Sequence, residues 1–101
     1  MKALGLVLAT RDDLRHLLGL ALAARTRGVA VRVFAMHEGV AALRAEPAAI
    51  AALLEAGCEL VGCATSADRA AVDLAGLGVV AGSQDDHAAL CAWAERVVAF
   101  T

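Results

Sequence analysis

Residues 3 to 9, Ala-Leu-Gly-Leu-Val-Leu-Ala, form an unbroken apolar run closed by Thr10-Arg11-Asp12-Asp13. Continuous rather than alternating hydrophobicity over so short a stretch predicts a strand covered on both faces. Asp12 or Asp13 is placed to cap the helix that follows, its carboxylate accepting orphan N–H groups, and that helix runs to Arg27 before Gly28 ends it. Val29 to Met36 is β-branched and apolar apart from Arg32, so it predicts a second strand. A strand, helix, strand unit implies a parallel pair joined by a right-handed crossover. His37-Glu38-Gly39 then turns the chain into a helical stretch, Val40 to Ala45, and Pro47 opens another helix that runs through Ala56 to Gly57.

Cys58 to Cys63 predicts the third strand, and Thr65 or Ser66 caps a short helix reaching about Leu74. The glycine-rich Ala75-Gly76-Leu77-Gly78 leads into a fourth strand at Val79-Val80-Ala81. Ser83 to Asp86 opens the last helix, which carries Trp93, and Arg96 to Phe100 makes a fifth strand or an extended tail. The order βαβααβαβαβ predicts an α/β fold of three layers, α/β/α, around a parallel sheet of four to five strands. The first helix departs from the usual amphipathic stripe, because Leu17 to Ala24 is apolar all the way round. Such a helix requires cover on a second side, which predicts a homo-oligomer or hetero-oligomer.

Composition narrows the function. At 101 residues the chain is expected to be one domain, residues 1–101, and its 60% hydrophobic content excludes disorder. Nine Lys and Arg against eleven Asp and Glu give a net charge of −2, and 3% aromatic residues leave few rings to stack on bases, so nucleic acid is not expected as a partner. No membrane partner is expected either, because the longest purely apolar runs, such as Leu17 to Ala24, are far too short to span a bilayer. Met1 to Ala9 is too short for a signal peptide, so the expected location is cytoplasmic. Three cysteines, an odd number without C-x-x-C spacing or nearby His pairs, argue against a disulfide framework and against structural zinc.

Open parallel sheets carry function at the carboxyl ends of their strands. Here those ends are Thr10 to Asp13, His37-Glu38-Gly39, Cys63-Ala64-Thr65-Ser66 and Gly82-Ser83-Gln84. Cys63 is the only thiol among them, and it stands just before a predicted helix N-terminus, where unpaired N–H groups favour thiolate over thiol. Thr65 and Ser66 offer hydroxyl donors and Arg69 a cation one turn on. The competing reading is plain packing, since free cysteine is among the most buried residue types. Cys58 begins the same strand and reads as core; about 16 Å of extended chain at ~3.3 Å per residue separates it from Cys63, and the odd spacing sends the two to opposite faces. Cys91, mid-helix beside Trp93, reads as a small core residue. His37 is placed to approach Cys63, with Glu38 capping or charging the turn, while His16 and His87 are too scattered for a metal site and read as surface or interface. No G-x-S-x-G elbow or P-loop occurs, and Gly76-x-Gly78-x-x-Ala81 precedes a strand rather than opening a helix, which is the wrong context for a dinucleotide.

Four fragments together resemble the DsrE/DsrF family of sulfur-relay proteins, which includes the TusD-like subunits. Residues 31 to 40, Val-Arg-Val-Phe-Ala-Met-His-Glu-Gly-Val, resemble V-x-V-F-F-x-x-[DE]-G-V. Leu-Leu-Glu-Ala-Gly resembles the entry to strand three, Cys63-Ala-Thr-Ser-Ala-Asp-Arg69 resembles C-x-x-[SA]-A-x-R, and residues 94 to 100 resemble a closing D-R-V-V-x-F. The resemblance implies a DsrE/F/H-like fold, assembly as a trimer, a hexamer or a hetero-oligomer, and a cysteine after strand three that carries sulfane sulfur as a persulfide between donor and acceptor proteins, without a cofactor or metal. Cys63 holds that position, with Thr10, His37, Glu38, Gly39, Thr65, Ser66 and Arg69 as supporting or binding residues. Arg69 is followed by Ala70-Ala71 where the family often continues R-R-G. The alternatives are a noncatalytic oligomer-forming subunit and a small-ligand binding module of the same fold.

Overall fold

The apolar N-terminal run becomes the most protected strand of the sheet. In the computed structural model, which describes residues 1–101, β1 (Ala3–Leu8) is buried at all six positions and pairs in parallel with β2 (Ala30–Ala35) on one side and β5 (Arg96–Phe100) on the other. β3 (Glu59–Cys63) and β4 (Val80–Gly82) extend the sheet beyond β2, giving the parallel order β4-β3-β2-β1-β5. Arg96 to Phe100 is therefore a strand, at the edge of the sheet.

Helices α1 (Leu14–Thr26), α2 (Glu38–Ala45), α3 (Pro47–Glu55) and α4 (Ala64–Ala70) pack together with one face of the sheet, and α5 (Gln84–Trp93) covers the other. Strand periodicity sorts the core: Leu4, Leu6 and Leu8 join Val31, Val33 and Leu60 under the first group of helices, whereas Val7 and Phe34 turn the other way with Cys63 to meet Leu90 of α5. Full burial of each large side chain, such as Leu17, Leu43 or Leu53, contributes roughly 1.5–3 kcal/mol, so most of the stabilisation lies on the four-helix side. On the α5 side Arg32, the one charged residue of β2, pairs with Glu59 at 2.6 Å and lies over the Trp93 ring at 4.1 Å.

Three local expectations are corrected. Asp13 occupies the cap position of α1 without capping it: with φ −101° and ψ 5° its carboxylate is turned from the first-turn amides and accepts the Thr10 hydroxyl at 2.6 Å. The helix after β3 starts at Ala64, with Cys63 as its cap residue, and stops at Ala70, short of Leu74. Ala71 adopts φ 54° there, and Val72 N–H reaches Ala67 O at 2.9 Å, a Schellman closure that drops Val72 and Leu74 into the core. Their burial offsets the roughly 1–3 kcal/mol cost of a left-handed non-glycine residue. Cys91, expected in the core, is exposed, because Leu90 is the α5 residue aimed at the sheet and its neighbour lies about 100° round the helix.

The inner face of α1 is buried at Leu14, Leu17, Ala21 and Ala24, while Leu20 and Ala23 on its outer side stay open to solvent. Beside them lies an apolar hollow of about 290 Å³ that Met1 and Val98 also line. No helix is long and apolar enough to cross a membrane.

The start of α2 is pinned to the centre of the sheet. Met36 N–H donates to Leu8 O at 2.9 Å, and Gly39 lies so close to the same carbonyl that a Cβ there would collide with the oxygen. Gly39→Ala forces backbone apart rather than a flexible side chain. It is expected to destabilise the fold by about 2–3 kcal/mol and lower Tm by roughly 10 °C, seen as a lower urea midpoint at unchanged m.

Candidate functional site

Cys63 ends β3 in extended conformation, φ −69° and ψ 117°, and the next residue is already helical. This abrupt change directs the first-turn groups of α4 back toward the sulfur. Burial pushes the Cys63 thiol up, but the Ser66 hydroxyl, the Ser66 and Thr65 amides and the Gln84 side chain more than offset it, leaving the thiol below its ordinary value of 9.0. These donors gather round the sulfur without closing a formal capping bond to it. Cys58, on the opposite face, behaves in the reverse way: burial raises its pKa, and Arg25 only partly counters this.

Ser66 joins two strand ends. Its buried hydroxyl oxygen accepts the backbone N–H of His37 at 2.9 Å, which leaves its own hydrogen for Cys63. His37 is held at φ 52°, ψ −132°, a conformation that costs of order 1–3 kcal/mol. The contribution of His37 to the sulfur therefore runs through its backbone. His37 also lines a cleft between α2 and α4, together with Glu38, Ser66 and Arg69.

On the other side of the sulfur stands α5. Ser83 starts this helix with a reciprocal capping box to Asp86. That fixes Gln84, whose amide nitrogen donates to Met36 Sδ at 3.6 Å and whose oxygen pairs with His87 Nδ1 at 3.0 Å. The His87 ring stacks on Phe34, with centroids 5.3 Å apart and 8° between planes. Phe34 in turn packs against Cys63 with Val7 and Leu90, while half-buried Met36 flanks the cluster. Only 5% of Cys63 is exposed.

Of the residues expected to support Cys63, the structure brings Ser66, Thr65 through its amide, and His37 through its backbone to the site. Thr10 is engaged with Asp13, and Gly39 serves the β1–α2 contact. Glu38 forms an exposed pair with Arg11 at 2.8 Å, an interaction of at most about 1 kcal/mol. Arg69, expected as a cation for the thiolate, is not among the groups acting on it. Gln84 stood at a strand end that the sequence marked, but its action on Cys63 and its support by His87 are what sequence reasoning missed. Their i, i+3 spacing at the start of the helix after β4 is the signal that would have paired them.

The chain belongs to the DsrE/DsrF-like family, whose model matches residues 2–100. No curated protein matches it. Family membership points to a role of the sulfur-relay type.

Removing a donor from around Cys63 is expected to slow its alkylation. Ser66→Ala and Gln84→Ala, assayed with iodoacetamide in a Cys91→Ser background, should each react roughly 3- to 10-fold more slowly at neutral pH and need higher pH for full rate, the loss corresponding to one hydrogen bond of ordinary net strength, about 0.5–1.5 kcal/mol. The same thiol also imposes a pH dependence on stability. Between its folded pKa and 9.0 the unfolded chain binds more protons at this site than the native chain, so stability rises with pH across that window and is lost as pH falls through the folded pKa. Urea midpoints of wild type and Cys63→Ser should diverge in favour of wild type as pH rises toward 9.0; Cys58, whose pKa is raised, acts only above that range.

Proposed function

We propose that this member of the DsrE/DsrF-like family is a sulfur carrier in which Cys63 holds sulfane sulfur as a persulfide and passes it between partner thiols. The single observation that supports it most is the lowered Cys63 thiol, whose anion is favoured by groups already in place. In the loading step the Cys63 thiolate attacks the outer sulfur of a donor persulfide, R–S–SH. The new bond forms at Sγ, the donor's sulfur–sulfur bond breaks, and R–S⁻ departs with the electron pair and takes a proton from solvent. In the unloading step an acceptor thiolate attacks the outer sulfur of Cys63–S–SH, and the Cys63 thiolate leaves.

Neither step changes the overall oxidation level, and no metal or organic cofactor enters the balance. Thiolate character helps both halves, because a lower pKa raises the attacking fraction in the first and improves the leaving group in the second. Ser66, Thr65 and Gln84 would act alike in both, with donors that need little reorganisation. Three free thiols suit a reducing, cytoplasmic setting. The open outer side of α1, with Leu20 and the neighbouring hollow, supports self-association or pairing with another subunit.

The 5% exposure of Cys63 favours a second reading, a noncatalytic subunit whose thiol only packs. Incubation of the Cys91→Ser protein with a polysulfide donor, followed by intact and peptide mass spectrometry, separates the two. The expected result is one added sulfur on the peptide containing Cys63, absent in the Cys63→Ser, Cys91→Ser protein. Equal loading of both proteins, or none on Cys63, leaves the noncatalytic reading.

A further inference from the structure

We propose that the cleft between α2 and α4 is a recognition site for the carboxylates of a small peptide thiol, the molecule that brings sulfur to Cys63. The assignment rests on the carrier reading for its purpose but on the cleft's own chemistry for its ligand. Arg11, His37, Glu38, Arg44, Ser66 and Arg69 line a space of about 370 Å³, within the range of small-molecule sites. Three guanidinium groups and one carboxylate give it a formal charge of +2, in a chain whose net charge is −2.

That charge is only partly compensated. The chain has two ion pairs, Arg11 with Glu38 and Arg32 with Glu59, so Arg44 and Arg69 have no carboxylate partner. They project from facing helices, and two guanidinium forks across one space suit a ligand with two acidic groups better than a single ion. Between them the methyl groups of Ala41 and Ala70 line the cleft, leaving room for a short apolar body. Ser66 then sets the chemical class. Ser66 lines the cleft and is also one of the groups acting on Cys63, so the cleft and the surroundings of the sulfur share a residue. A peptide thiol with two carboxylates combines the required charge, size and sulfur.

The test uses S-methylglutathione, an unreactive probe, in calorimetric titration, and compares Cys63 loading rates from glutathione persulfide and from a carboxylate-free persulfide, N-acetylcysteine methyl ester persulfide. Wild type and Cys63→Ser should bind the probe alike, with affinity falling as salt is raised. Arg44→Glu, Arg69→Glu should weaken it by about tenfold or more, and the milder Arg44→Gln, Arg69→Gln by less, these being exposed side chains whose replacement spares the core. The Glu variant should lose a similar factor in loading from glutathione persulfide and much less from the carboxylate-free donor. Failure of wild type to bind the probe, displacement of the probe by equimolar inorganic phosphate, or equal loss of both donors in the arginine variants would overturn the assignment. Intact probe binding with no sulfur ever found on Cys63 would instead keep the cleft and remove the carrier reading.

Discussion

Ser66 has one hydroxyl hydrogen and an oxygen that accepts, and the site depends on how these are allotted. The oxygen takes the His37 N–H at 2.9 Å, which leaves the hydrogen available to the Cys63 sulfur, whose pKa the Ser66 hydroxyl helps to lower. The same bond ties the end of β2 to the first turn of α4 and helps hold His37 in its strained conformation. Burying Ser66 without both partners would leave an unsatisfied polar group costing about 1–3 kcal/mol. With both in place, a structural link between two strand ends also tunes the sulfur. Gly39 makes the arrangement possible from the other side, because only a residue without Cβ lets α2 start directly above the Leu8 carbonyl.

The two cysteines of the β3 region show how far local geometry sorts identical side chains. Five positions apart, they fall on opposite faces of the sheet, and each takes the chemistry of its surroundings. Cys58 enters the large apolar core, where removal from water disfavours the anion. Cys63 enters a cluster of four, at a strand end where amides and hydroxyls converge. Burial is a cost to the thiolate at both positions, and only at the second do the donors exceed it.

The strands were legible along the chain, though not their order across the sheet, because its middle is covered on both faces: β1 is an unbroken apolar run, and β2 and the β3 region are apolar runs interrupted once each, by Arg32 and Glu59. The position of Cys63 followed from the same runs. What was not legible depends on orientation. The end of α4 is set by a left-handed Ala71, and alanine carries no signal for that conformation where glycine would. Cys91 faces out because α5 presents a single buried residue, Leu90, so composition does not reveal which side meets the sheet. Arg69 lies one turn beyond Thr65 and Ser66 in sequence, yet it lines the α2–α4 cleft. Gln84, held by His87, reaches the sulfur from a different strand end, a proximity created by the β3–β4 pairing and invisible in the linear chain.

The inequality of the two helical layers bears on how a sulfur that is 5% exposed can react. On one face 23 buried residues lock four helices to the sheet; on the other, α5 meets a cluster of only four. Leu90 is the one buried side chain of α5, and its burial is worth roughly 1.5–3 kcal/mol, far less than the stability of a whole domain. Local opening draws on the region with the fewest buried contacts, so the α5 side is where this fold opens at least cost. Gln84, exposed at the head of that helix, and Met36, half-buried beside it, are unbranched side chains joined by a weak 3.6 Å contact. A thiol placed under the thin layer keeps the water exclusion that strengthens its hydrogen bonds, while access requires displacing little packing. Under the four-helix side the same thiol would share the fate of Cys58.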